Sequence, residues 1–290
     1  LLFHHDLQLK LSKASFIVTE IGDKSNAIRQ NNQMEALIDQ LSETRFNKIE
    51  HVSETGSTNS DLVARASTLP DGCILVSDYQ TAGRGRMGRN WEAPPSVNLL
   101  FSVLLHPKWP DERHQLVTPA LALATVEMLQ QLGIKASIKW PNDVLVQQEE
   151  SKKIAGILAE YVQQENPVLV VGMGLNIGWP KLEDSGPPES TSLSACGIDE
   201  DRWKLLGEIL KNFEKRLVQI TAEKEVSGFI EDYCSKSSTI GHKVRVDKAD
   251  GDIIGRAVGI EKDGSLMIEN ENGVTSLSAG DVTHLRKLEL

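Results

Sequence analysis

Gly83-Arg84-Gly85-Arg86-Met87-Gly88-Arg89-Asn90-Trp91, followed closely by Pro94-Pro95, is the stretch on which the fold turns. Its three glycines fit G-x-G-x-x-G, and the apolar run Cys73–Asp78 upstream reads as a strand. A dinucleotide-binding fold would need a helix to begin here, with its N-terminus facing a pyrophosphate. The two prolines and the loop-like composition past Trp91 argue against one. A protein kinase would need a downstream catalytic loop and Asp-Phe-Gly, and a P-loop enzyme Gly-Lys-Ser or Gly-Lys-Thr; the sequence has none of these. What remains is a flexible cationic loop. Glycines let backbone N–H groups approach an anion, and arginine forks match phosphate. Packed arginines repel one another until an anion arrives, so the loop is expected to become ordered by a ligand.

The surrounding chain narrows the partner. The 290 residues carry a net charge of -10, which disfavours broad contact with nucleic acid or membrane and points to one localised anionic ligand. Cys73, Cys196 and Cys234 are far apart and show no Cys-x-x-Cys spacing, so reduced thiols in the cytoplasm are expected. No apolar run approaches the roughly 20 residues of a membrane helix.

Outward from the loop, the pattern predicts an α+β domain. Ser25–Gln33 reads as a polar linker and Met34–Leu41 as a short amphipathic helix. Ser57 supplies N-cap chemistry for a helix through about Ser67. Asn98–Leu105 is too apolar for an exposed face, and Thr118, Pro119 and Gly133 bracket a helix. Strands are expected at Ala136–Lys139, Val144–Val146, Ile154–Tyr161 and Val168–Gly174, then a long amphipathic helix over Arg202–Ile220. From about Ser237 short alternating strands with turn signals at Asp250-Gly251, Asp263-Gly264 and Asn272-Gly273 predict a small β-barrel. The domains are thus 1–30, an N-terminal segment without a recognisable helix-turn-helix; 31–234; and 235–290.

Three further segments carry chemistry. Lys139-Trp140-Pro141-Asn142-Asp143 lies between two strands, where a tight turn presents an ammonium, an amide and a carboxylate together. Lys152-Lys153-Ile154-Ala155-Gly156-Ile157-Leu158 sends a lysine into an apolar strand, with Gly156 permitting close approach, which suits capture of a carboxylate or phosphate. Gly172-Met173-Gly174-Leu175-Asn176-Ile177 ends a buried strand with glycines where bulk would block a pocket.

Together with Ser57-Thr58-Asn59 and Gln80, these ordered motifs make the chain resemble the biotin protein ligases, the biotin–[acetyl-CoA-carboxylase] ligases, from about Asn31 to the C-terminus. The resemblance implies a class II synthetase-like mixed sheet flanked by helices, followed by an SH3-like β-barrel. It implies activation of biotin with ATP and Mg²⁺ to biotinyl-5′-AMP, then transfer to a lysine of the biotin carboxyl carrier protein. Carried over by motif, Lys153, Arg84 and Arg86 would be catalytic. Biotin would meet Ser57, Thr58, Asn59, Gln80, Gly83, Arg84, Gly85, Arg86, Lys153 and Gly156. The adenylate would meet Arg84, Arg86, Arg89, Trp91, Lys139, Asn142, Asp143 and Asn176, with Asp143 in the Mg²⁺ region. Met87, arginine in some members, is given no phosphate role. A lipoate-type ligase shares the fold and chemistry, but the polar Ser-Thr-Asn set suits a ureido ring. A bifunctional ligase and repressor would need a basic recognition helix, which residues 1–30 lack, so DNA binding is not expected of this chain. An exposed strand of this fold could pair into a homodimer.

Overall fold

The computed structural model describes residues 24–180, 187, 189–247 and 251–284. The N-terminal helix α1 (Lys24–Gln40) precedes strand β1 (Lys48–Val52), helix α2 (Thr58–Ala64), β2 (Cys73–Ser77) and β3 (Leu99–Leu105). Helix α3 (Val117–Gln131) leads into β4 (Ala136–Lys139), β5 (Asp143–Val146), β6 (Lys152–Val162) and β7 (Val168–Leu175). Two helices, α4 (Arg202–Thr221) and α5 (Val226–Lys236), complete the larger part. The seven strands form one mixed sheet, ordered β1-β2-β3-β7-β6-β5-β4, in which only β1 and β2 run parallel.

Successive side chains along the nearly all-apolar β3 and β7 point to opposite faces, so these strands serve both faces of the sheet. Phe101, Val103, Val171 and Met173 belong to the large core that also contains the buried faces of α3 and α4. On the opposite face Leu75, Leu104, Val168 and Val170 pack with Leu62 of α2. Beyond α2 that second face carries Ser102, Gly172 and Gly174, small residues at the alternating positions. A helix covers one end of the face, and a glycine floor opens the other.

After α5 come β8 (Lys243–Asp247), β9 (Ile253–Ile260), β10 (Leu266–Asn270), β11 (Gly273–Leu277) and β12 (Asp281–His284), in an antiparallel sheet ordered β11-β10-β9-β8-β12. Gly251, Gly264 and Gly273 take positive φ at the turns, where other side chains would be strained. No helix among the described residues is long and apolar enough to cross a membrane. Cys73 is buried in β2, and burial pushes its thiol up to about 11, away from thiolate chemistry.

Several local expectations change. Ser25–Gln33 is helical rather than a linker. Met34, Leu37 and Leu41 anchor the end of α1 in the core, and once a turn is fixed each added residue extends the helix cheaply. Helix α2 stops at Ala64, and Ser57 makes no side-chain cap bond; the Thr58 N–H donates instead to Gln80 Oε1 at 2.8 Å. Helix α5 had no clear sequence signal, since Gly228 and flanking polar residues mask its buried Val226, Phe229 and Tyr233. It runs to Lys236, so a division at 234/235 would fall inside its last turn. The reading of residues 1–30 as lacking a helix-turn-helix falls mainly on 1–23, which lie outside the described residues.

One electrostatic tie fixes α4 to the sheet. Asp78, just past β2, accepts from His51 at 2.9 Å and pairs with Arg202 at 2.5 Å. Burial opposes its charge, but hydrogen bonds from His51 and Arg202 outweigh this and hold the carboxyl below its usual range. A lowered folded pKa contributes stability above the unfolded value of about 3.9 and loses it as pH falls through the folded value. Asp78→Asn should therefore be less stable than the parent at neutral pH. The difference should shrink below about pH 4 in urea melts taken across pH.

Candidate active site

One row of paired residues crosses the sheet: Ser77, Leu100, Gly174, Gly156, Asp143 and Lys139. Three separate sequence motifs, those of Lys139–Asp143, Gly156 and Gly174, are thereby brought side by side. The two glycines at its centre form a flat stretch of backbone, and the Trp91 indole lies on it. A Cβ at Gly174 would sit 2.2 Å from Trp91 Cε2, and one at Gly156 would sit 2.8 Å from Cζ3. Around this floor is a cavity of about 320 Å³.

The cavity's apolar-side wall begins with a polar chain. Ser102 Oγ, buried in β3, lies 2.7 Å from Thr58 Oγ1 and 2.6 Å from Asn59 Oδ1. Gln80 Oε1 takes the Thr58 backbone N–H and lies 3.1 Å from its hydroxyl. Asn59 Nδ2 donates to Leu158 O and to Glu160 Oε2. Hydrogen bonds among these amides and hydroxyls fix their orientation at the cavity wall.

Lys153 stands at the other side. Its N–H donates to Glu189 O at 2.7 Å, and its carbonyl accepts from Thr191 N–H at 2.8 Å, so the backbone is fixed from outside the sheet. Its Nζ lies 2.7 Å from Asp143 Oδ1 and 5.4 Å from the Trp91 ring centroid. The Lys139–Asp143 segment makes a tight turn with a cis Trp140–Pro141 bond, and Asn142 Nδ2 donates to Ile157 O. Lys139 and Asn142 both line the cavity.

The arginine loop covers the opening. Trp91 N–H donates to Gly83 O and Gly85 N–H to Arg89 O, which fold the loop back on itself. Arg84 donates to Glu160 Oε2 at 2.7 Å, and Arg89 to Asp281 Oδ2 at 2.5 Å. Arg86 lies 3.5 Å from Asp281 and donates to Gly280 O at 3.2 Å. Burial pushes the Arg86 guanidinium below its usual range, with Asp281 opposing this. Met87 points outward, 71% exposed, at φ 55°.

Of the residues given a catalytic or ligand-binding role in the sequence, all but Gly83 and Asn176 line this cavity. Gly83 supports it from behind, because a Cβ there would meet Trp91 O at 2.4 Å. Asn176 lies in a buried network, donating to Thr191 O and accepting from Asn98 Nδ2. Three groups were missed. Ser102 could have been found as the lone hydroxyl in an apolar strand, but Glu160 and Asp281 carry no local signal.

Residues 51–177 match the biotin/lipoate A/B protein ligase family, and residues 239–285 the biotin protein ligase C-terminal domain. The biotin–[acetyl-CoA-carboxylase] ligase of Mycobacterium tuberculosis is 36% identical over 251 residues, covering 83% of this chain and 90% of that one. The chain belongs to the biotin protein ligase family. The bifunctional ligase/repressor BirA of Bacillus subtilis is 32% identical over 80% of this chain and 71% of its own length. Among solved biotin protein ligases, that of Aquifex aeolicus in complex with biotin and ATP superposes with a TM-score of 0.70 at 32% identity, covering 83% of this chain and all of that one. The fold expected of a biotin protein ligase, a mixed sheet flanked by helices with an antiparallel C-terminal unit, is the fold observed.

Proposed function

We propose that this chain activates biotin with MgATP to biotinyl-5′-AMP and passes the biotinyl group to a lysine of the biotin carboxyl carrier protein. The observation that carries this reading is the convergence of Lys153, the arginine loop and the Thr58–Asn59–Gln80 set on one glycine-floored cavity. The bare glycine backbone lets the Trp91 indole lie flat against the sheet, where its ring gives the cavity an aromatic wall. The polar set would meet the ureido ring, and the fixed Lys153 ammonium the carboxylate.

In the first step a biotin carboxylate oxygen bonds to the α-phosphorus, and the bond to the bridging oxygen of pyrophosphate breaks. Both reactants are anions, so Lys153, Arg84 and Arg86 would lower their repulsion and neutralise charge moving onto the leaving group. Trp91, Arg89, Lys139 and Asn142 would line the adenylate. In the second step a neutral lysine amine of the carrier bonds to the acyl carbon, AMP leaves with the bonding pair, and the amine proton goes to solvent. A closed loop keeps water from the anhydride meanwhile.

Among the described residues no group of three side chains is arranged to hold a metal ion. Asp143 faces the cavity, as Asp247 and Asp281 do, without a third ligand grouped beside it, which fits a magnesium ion brought in by phosphates and keeping its waters. Such an ion would supply charge neutralisation on the phosphates.

Incubation with biotin, MgATP and a carrier domain should place biotin on the carrier lysine, read by streptavidin blot and intact mass. A folded protein that leaves the carrier unlabelled excludes the reading. Labelling with lipoate in preference to biotin would favour the lipoate alternative. The cytoplasm, where the carrier would be met, belongs to this same proposal.

A further inference from the structure

We propose that Asp281, on the first residue of β12 in the C-terminal sheet, is a positioning residue that holds the arginine loop closed over the cavity and so prepays the ordering of the nucleotide site. It rests on the reading of that cavity as the adenylation site. Arg86 and Arg89 directly flank the Met87-Gly88 pair, three positions apart, and repel each other. Asp281 faces both, Oδ2 at 2.5 Å from Arg89 and Oδ1 at 3.5 Å from Arg86, and the adjoining Gly280 carbonyl accepts from Arg86. One carboxylate thus relieves the repulsion that makes such a loop open.

The pin acts with two other ties. Arg84 is held from β6 by Glu160, so the loop is fixed at both ends from different parts of the fold. The C-terminal sheet is itself seated on the Lys139–Asp143 turn. Trp140 Nε1–H donates to Gly264 O at 3.1 Å, and the Trp140 backbone N–H to Thr239 Oγ1 at 3.1 Å. The sheet therefore reaches both segments that flank the cavity mouth, and Asp281, Val282 and Thr283 line it. Between the pinned arginines Met87 takes left-handed backbone, a conformation that persists only where its neighbours fix it.

Exposed ion pairs are individually weak, so the effect is one of population: a loop closed only part of the time binds its ligand weaker in proportion. The protein alone, treated with trypsin, reports the pin without any appeal to ligase activity. Asp281→Asn should be cut after Arg84, Arg86 or Arg89 about three- to tenfold faster than the parent, and Asp281→Glu close to the parent rate. Circular dichroism melts identify any variant that has lost its fold. In that event Arg89→Gln, cut after Arg84 or Arg86, supplies the same comparison. In pyrophosphate release, Asp281→Asn should raise KM for ATP about three- to tenfold with kcat changed less than twofold. Equal cleavage rates overturn the proposal. So does a lower KM for ATP in Asp281→Asn, which would mean that the carboxylate competes with phosphate. An inactive parent protein would count against the ligase reading alone, because the cleavage comparison still decides the pin.

Discussion

Lys153→Ala should lower the rate of adenylate formation by about two to three orders of magnitude, the range for losing one preorganised group that stabilises developing charge. The expectation follows from how completely the side chain is placed. Its backbone is bonded on both sides to Glu189 and Thr191, and its Nζ sits beside Asp143 and over Trp91. Water would not replace a fixed cation set between two anionic reactants. Lys153→Arg keeps the charge but not the compact ammonium, and should recover only part of the rate. Pyrophosphate release and isolation of biotinyl-adenylate measure both variants, and an unchanged adenylate yield in Lys153→Ala would remove the role. Thermal stability should fall by under about 1 kcal/mol, since the pair with Asp143 is part-exposed.

Gly174→Val should weaken biotin binding by about a hundredfold, because misplacing a positioning group by even an ångström has effects of that order. The new Cβ would lie 2.2–2.4 Å from three indole atoms of Trp91, and the strand beneath is paired on both sides. The rigid sheet holds, so the indole must leave the floor and take the arginine loop with it. Isothermal titration with biotin tests the loss. A companion change at Gly172, whose Cβ would fall 2.2 Å from Asn59 Oδ1, should disturb the Ser102–Asn59 hydrogen bond instead. Wild-type affinity in Gly174→Val would mean that the seat of the Trp91 indole on the glycine floor is not needed for biotin to bind.

Much of this was legible in the sequence, for a physical reason. Apolar runs such as Leu99–Leu105 and Val168–Leu175 are buried on both faces and announce themselves as strands without reference to anything distant. The glycines at 172 and 174 were readable as pocket-forming because alternation puts both on one face. Sheet order was not legible, since it depends on which strands pair across long connections. Glu160 and Asp281 became visible only once that order brought them to Arg84, Arg86 and Arg89. The helical state of Ser25–Gln33 escaped for the same reason: what fixes it is the docking of the next two turns, not its own composition.

Asp281 and the arginine it grips are 192 residues apart in the chain. Synthesis runs from the N-terminus, and units fold as they emerge. The seven-stranded sheet, with its lysine and glycine floor, can thus be complete while the carboxylate that fastens its loop has yet to be made. With Asp281 as the pin, a growing chain on the ribosome would bind its nucleotide about three- to tenfold more weakly than the finished molecule.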